Sequence, residues 1–420
     1  MRKTYKKNIT YSVIPFGAAL QMFLIAEPAE NFVTLPEDDT QGHGKSVPDW
    51  QRQIRSTFDA IRATLVAEGF DAGVVMSNFY LTDIAMKELL RQIAAEFFPK
   101  GLGAMTIIPQ APVSGGVCGA EIWALKGRKI KRQESNSDNI IIAESDSVRW
   151  FFGGDFRSDN SPVGAYNRSL NAFKNFGDSL TANKFRLDQV IRTWIYQGHL
   201  VLPDKTTADG VLQRYQELNR ARTDFFGETK FLSKYLPVEC KSTAFPASTG
   251  IGADDVDVVI AAVAVEAARE DFIAVPLENP HQTSAFSYGV NYSPQSPKFA
   301  RGMAIAFDNW CQIFVSGTAS ITDSESRYGG DPTLQTEQTL DNIEALIDGS
   351  NLTQHGIRGF DSSLANLECV RVYIKNPNDF NVINEVCKKR LRNTPILYTI
   401  ADVCRPELLV EIEGFAVTVK

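Results

Sequence analysis

Histidine is scarce in this sequence, with four in 420 residues, and the six cysteines (Cys118, Cys240, Cys311, Cys369, Cys387 and Cys404) include no CxxC pair. Neither a zinc spacing nor a disulfide framework can be assembled from them, so a reducing, cytoplasmic compartment is the simpler expectation. Glycine-rich phosphate loops, HExxH and GxSxG are also missing. Nicotinamide and ATP chemistry therefore have no support, and no metal or cofactor is expected. Positive charge is not in excess: Lys+Arg 43 against Asp+Glu 50 leaves a net charge of −7, which excludes a globally basic nucleic-acid binder. The basic run Lys126–Arg132 reads as a solvated linker hairpin rather than a nucleic-acid patch. No apolar stretch reaches the ~18 residues of a membrane span. The nearest, Val13 to Ala26 behind Arg2, Lys3, Lys6 and Lys7, has the layout of a secretory signal but contains Pro15, Gly17 and Gln21. Its alternation fits a pair of strands instead.

What is present is ordinary globular composition, 44% hydrophobic and 22% charged, on a chain long enough for about three domains. Three amphipathic helical stretches recur: Phe58-Asp-Ala-Ile61, Leu170-Asn-Ala-Phe173 and Leu340-Asp-Asn-Ile343. A β-rich run follows each, at Val74–Leu81, Val190–Tyr196 and Val370–Ile374. Second helices are expected at Ala85–Phe98, Leu212–Phe226 and Phe380–Leu391, before closing strands ending in Ala120–Leu125, Val258–Ala264 and Val410–Ala416. The order β-β-α-β-α-β-β thus repeats over residues 1–127, 128–275 and 276–420. The expected class is α+β, with two helices on one face of each sheet.

Ile313-Phe-Val-Ser-Gly-Thr-Ala-Ser320, a helix beginning near Gln335, the Val370–Ile374 strand and a closing Val-Glu-Ile-Glu-Gly resemble the Rid (YjgF-like) family. That resemblance implies a chorismate-mutase-like fold in each third, and three tandem copies would form an intramolecular pseudo-trimer with pockets between units. A narrower resemblance, over roughly residues 118–420, is to the chorismatases, which cleave pyruvate from chorismate. Its matching stretches are Arg192-Thr-Trp194, Arg214-Tyr-Gln-Glu-Leu-Asn-Arg-Ala-Arg-Thr-Asp-Phe-Phe226, Pro246-Ala-Ser-Thr-Gly-Ile-Gly252 and Gln282-Thr-Ser-Ala285. They continue with Ser296-Pro-Lys-Phe-Ala-Arg301, Ser316-Gly-Thr-Ala-Ser320, Ala401-Asp-Val-Cys-Arg405 and Leu408-Leu-Val-Glu-Ile-Glu413.

Glu411 is the expected general acid. Period-two alternation puts it and Glu413 on one sheet face, and burial in a pocket would raise its pKa towards the working range of an acid. The resemblance gives the first glutamate of this motif the proton-donor role. By spacing, the matching slot holds Glu121 in the first third and Val259 in the second. Cys404 stands seven residues before the acid, where chorismatases contact substrate; the first third has Ser114 at that offset. Chorismate carries two carboxylates, and the resemblance assigns their binding to Arg222, on one helix face with Tyr215, and to Arg301 on the first strand of the last third. Gly317 would permit close backbone approach, and Ala319 stands where chorismatase subtypes vary, alanine leaning towards simple hydrolysis.

Two departures bear on substrate. The arginine with which Rid deaminases bind a carboxylate is replaced by Met105, Ser248 and Leu397, which disfavours imine deamination. The loop Ile321–Asp331 carries Ser324 and Tyr328 where chorismatases have histidines. The expectation is an enzyme that releases pyruvate from chorismate or a related enol-pyruvyl acid. The alternative is a Rid-type metabolite-binding or deaminase-like protein. Expected partners are a small-molecule carboxylate, without nucleic acid or membrane, and a monomeric or low-order oligomeric state.

Overall fold

A computed structural model describes residues 2–6, 8–28, 49–127, 131–134, 139–158, 163–207, 210–238, 240, 243–255, 257–289 and 295–420. The first unit contains β1 (Arg2–Lys6), β2 (Ile9–Phe16), β3 (Ala19–Ala26), α1 (Asp49–Glu68), β4 (Val74–Leu81), α2 (Lys87–Phe97), β5 (Ala104–Ile108) and β6 (Cys118–Lys126). The second contains β7 (Lys131–Glu134), β8 (Ile140–Ser145), β9 (Val148–Arg157), α3 (Ala165–Ala182), β10 (Val190–Gly198), the hairpin β11 (Pro203–Thr207) and β12 (Gly210–Gln213), α4 (Arg214–Phe226), β13 (Ala247–Ala253) and β14 (Val258–Ala267). The third contains β15 (Ile273–Leu277), β16 (Gly302–Phe307), β17 (Trp310–Ala319), the small hairpin β18 (Ile321–Thr322) and β19 (Glu325–Ser326), α5 (Pro332–Ile347), α6 (Gly349–Gln354), β20 (Leu367–Ile374), α7 (Phe380–Leu391), β21 (Ile396–Ile400) and β22 (Val410–Val419).

Each unit builds one six-stranded sheet with the same order: first, second, third, sixth, fourth, fifth. Neighbours are antiparallel except the fourth and fifth strands, which a helical crossover makes parallel. The fourth strands, β4, β10 and β20, are buried along their whole length, which explains why they read as near-continuous apolar runs. Helices cover one face through regular stripes, as with Ile54, Phe58, Ile61 and Leu65 of α1, all at 0% exposure. The other faces meet centrally, where Phe23, Trp123, Phe152, Trp194, Phe314 and Phe415 pack ring against ring across all three units.

Setting aside the hairpins β11–β12 and β18–β19 and the short α6, the observed order is β-β-β-α-β-α-β-β, one sheet strand more per unit than expected, because the edge strands β1, β7 and β15 are short and weakly patterned. The expected boundary at 275/276 falls inside β15, which pairs with β16 of the third sheet. Val13–Ala26 forms most of a hairpin, β2 and β3, turned at Gly17 with a left-handed φ of 55°. In the basic run, residues 128–130 lie outside the described residues. Among the described residues no helix is long and apolar enough to cross a membrane.

Strand register defines which residues correspond between units. Tyr80, Tyr196 and Tyr373 lie opposite Gly119, Val259 and Glu411, respectively. The three tyrosine hydroxyls converge on one guanidinium: Arg371 NH1 donates to Tyr196 at 2.7 Å and Tyr80 at 2.9 Å, and lies 3.3 Å from the Tyr373 hydroxyl. The acid's slot in the first unit is therefore Gly119, not Glu121, and Pro112 rather than Ser114 stands seven residues before it. Glu121 corresponds to Glu413, and both pair with Arg371 at 2.9 and 2.7 Å. Gapless spacing had slipped by two residues.

Candidate active site

A cleft with about 770 Å³ of atom-free volume, its open mouth included, lies where α4 and β13 of the second unit face β17 and β22 of the third. Its lining brings together every site residue expected from sequence: Glu411, Arg222, Arg301, Tyr215, Cys404 and Ala319. Arg301 is one residue ahead of β16, the second strand of its sheet and not the first.

Glu411 is 5% exposed on β22, directly across from Ala319 on β17. Its carboxyl makes no hydrogen bond to protein among the described residues. Burial, reinforced by neighbouring Glu413 and offset by Arg301 and Arg192, raises its pKa to about 8. Glu413 has a different fate. Arg192, Thr249, Tyr373 and Arg371 all bond it, locking it into the central network 1% exposed. Gly317, which lines the cleft, also makes room for the acid: a Cβ there would lie 2.0 Å from Glu411 Oε1. An extra residue in β17 between Val315 and Thr318 produces this arrangement, a β-bulge that re-aims the strand, and Gly317 N donates to Thr249 Oγ1 at 2.9 Å.

The cations are interleaved with rings. Arg222 and Arg301 lie 5.5 and 5.6 Å from the centre of the Phe299 ring. Arg301 and Arg405 lie 5.5 and 5.4 Å from that of Tyr288. Arg222 NH2 donates to Asn219 Oδ1 at 2.6 Å, and Arg301 donates to the Tyr288 hydroxyl and to Thr283 O at 3.0 Å. Both guanidinium groups are buried, at 1% and 3% exposure, yet among the described residues neither forms an ion pair within 4.0 Å. Glu278, the residue after β15, interacts with Arg301, and burial raises its pKa to about 7 despite that arginine. Taking a guanidinium out of water without a close ion-pair partner costs several kcal/mol, a cost that an anion in this cleft would offset.

A 3-hydroxybenzoate synthase of Streptomyces hygroscopicus is 30% identical over 301 residues, covering 70% of this chain and 80% of that protein. The chain belongs to the chorismatase-like branch of the Rid family. A chorismatase of the same organism is 30% identical over 244 residues, 56% of this chain and 65% of its own length. The Endoribonuclease L-PSP family profile matches residues 300–418. A chorismatase crystal structure superposes with a TM-score of 0.64 at 23% identity, covering 83% of this chain and 94% of the other, and so shares the fold.

In this chorismatase-like cleft the thiol of Cys404 is held protonated, its pKa pushed up to about 12 by burial and by Glu411, which disqualifies it as a nucleophile. Tyr215, in the first turn of α4, also has a raised pKa, from burial and then Cys404, so its hydroxyl stays a neutral donor. The hairpin β18–β19 is tied down by Arg405 NH1, which donates to Ser324 O at 2.9 Å and Ser326 Oγ at 3.1 Å. Tyr288, Phe299, Asn219 and Arg405 line the cleft but were not singled out from sequence. Arg405 had one available signal, its place beside Cys404; Tyr288 sits in a segment with no periodicity to read. The position matching Met105 and Ser248 in the third unit is Ile396 by register, and it too is not basic.

Proposed function

We propose that this chain releases pyruvate from chorismate, or from a related enol-pyruvyl acid, in the cleft between its second and third units. Two buried guanidinium groups without an ion-pair partner, facing a buried acid, carry the reading. Arg222 and Arg301 would each take one carboxylate of the dianion, fixing the enol ether against Glu411. Tyr215 and Cys404 would donate to substrate oxygens, and Ala319 would leave room beside the ring.

Glu411, protonated at neutral pH, transfers its proton to the terminal methylene carbon, and the ether oxygen stabilises the resulting oxocarbenium. Water adds to the adjacent carbon, the one bonded to the ether oxygen, and returns a proton to the Glu411 carboxylate. The hemiketal then collapses, breaking the bond between that carbon and the ether oxygen, to pyruvate and a ring alcohol. The small side chain of Ala319 favours this hydrolytic outcome over aromatisation. The names of the chorismatase and 3-hydroxybenzoate synthase relatives support the substrate class.

The reading includes an architecture: three Rid-like domains, expected near residues 1–127, 128–275 and 276–420 with the last boundary moved ahead of β15, closing as an intramolecular pseudo-trimer. A monomer or low-order oligomer in the cytoplasm accords with it. The decisive experiment incubates the protein with chorismate and follows pyruvate by coupled lactate dehydrogenase, with chromatography of the ring product. No pyruvate from folded protein would sink the reading and leave a metabolite-binding role.

A further inference from the structure

The seam between the first and second units has the same construction as the cleft. In β9, as in β17, one extra residue intrudes opposite the sixth strand: Gly154 and Asp155 stand between Gly153 and Phe156, as Ser316 and Gly317 stand between Val315 and Thr318. Asp155 N donates to Thr106 Oγ1 at 3.3 Å, the counterpart of the Gly317 bond to Thr249. Arg157 lies opposite Val259 just as Ala319 lies opposite Glu411. Matching the Phe97-Phe98 end of α2 to Phe225-Phe226 of α4 puts Lys87 in the place of Tyr215 and Arg91 in that of Asn219.

At this seam the counterpart of Gly317 carries a carboxylate. Asp155 Oδ2 is 2.8 Å from Arg91 NH2 and 3.7 Å from Lys87 Nζ, while Oδ1 is 2.8 Å from Arg157 NH2 and 3.4 Å from Ile107 N. Its side chain is 4% exposed, and its φ is +55°, in the left-handed region that favours glycine. A buried carboxylate held by three cations and a backbone amide is what a bound small carboxylate would look like.

We propose that the seam between the first and second units is a second carboxylate site of the same design, which the chain occupies with its own Asp155. It has no acid, because Val259 fills the Glu411 slot, so it binds without reacting. The inference is independent of the substrate proposed for the other seam.

The test is chemical rescue, because acetate is the Asp155 side chain detached from its backbone. Asp155→Gly relieves the left-handed backbone and leaves Lys87, Arg91 and Arg157 facing one another, so its melting temperature should fall. Sodium acetate at about 100 mM should then raise that Tm by about 3 °C or more over sodium chloride of equal ionic strength. Wild-type protein should show no such acetate-specific rise, and Asp155→Gly/Arg91→Ala should lose most of it. If Asp155→Gly does not fold unaided, refolding yield with acetate against chloride gives the same comparison. Equal responses to acetate and chloride, in Tm or in yield, would overturn the proposal.

Discussion

Two seams of one molecule, built on the same strand order, meet the problem of buried positive charge in opposite ways. Between the first and second units, Lys87, Arg91 and Arg157 share one internal counter-charge, Asp155. Between the second and third, Arg222 and Arg301 are more deeply buried and have no ion pair among the described residues. The third seam is shut by chain: Pro112 bridges to Thr399, and a Cβ on Gly119 would meet Leu397 at 3.0 Å. A seam can pair its buried cations or leave them without an ion pair; among the described residues this protein does each in a different place.

The largest effect that sharpens the contrast is expected from Glu411→Gln, which should lower kcat for pyruvate release about 10³-fold while leaving Tm near wild type. A variant with full activity would remove Glu411 from the chemistry. Arg222→Met or Arg301→Met should each cut kcat/KM about 10²-fold or more and, without substrate, leave stability unchanged or higher. Arg157→Met at the other seam should instead destabilise by about 1–3 kcal/mol in denaturant titrations, because it strips a partner from a buried carboxylate. If the two arginine types behave alike, the contrast fails.

Gly317→Ala should displace the acid and lower kcat about 10- to 100-fold, at a stability cost of about 1–3 kcal/mol. The pH profile of kcat/KM should be flat below and fall above about 8, as Glu411 loses its proton. The same group sets a stability slope. Glu411 ionises near its ordinary 4.5 when unfolded but stays neutral to about 8 when folded. The native state therefore holds the extra proton, and this group's contribution to stability declines between those values as pH rises. Glu411→Gln should flatten that part of the curve. Cys404→Ser should change kcat/KM least, under about tenfold, because a protonated thiol acts only as a contact.

Much of this was legible in the residues themselves. The helices read correctly because their apolar stripes obey a 3.6-residue period: α7 matched its expected bounds of Phe380–Leu391, and α4 began two residues late at Arg214. All six expected site residues line one cleft because the family motifs preserve local spacing within α4, β17 and β22 and in the segments that lead into β16 and β22. The errors came where register decides. Glu121 aligns with Glu411 by local sequence because each stands between an aliphatic residue and an isoleucine, in Ala120-Glu-Ile and Val410-Glu-Ile, but strand pairing, which depends on residues far away, matches it to Glu413. Phe299 and Tyr288 were missed because their roles exist only as rings between arginines brought in from other elements.

By itself, then, the amino-acid order determined the elements, their threefold recurrence and the types of side chain available for acid chemistry, since these depend on local periodicity and composition. Tertiary structure decided which glutamate faces a cleft and which disappears into a salt-bridge network, and which seam stays open. Those outcomes turn on which residue sits in the bulge shared by β9 and β17, Asp155 in one and Gly317 in the other, and on desolvation by neighbours far along the chain, as Arg192 is from Glu413. Charge and polarity can be read along a chain; their cost is set only when water is excluded.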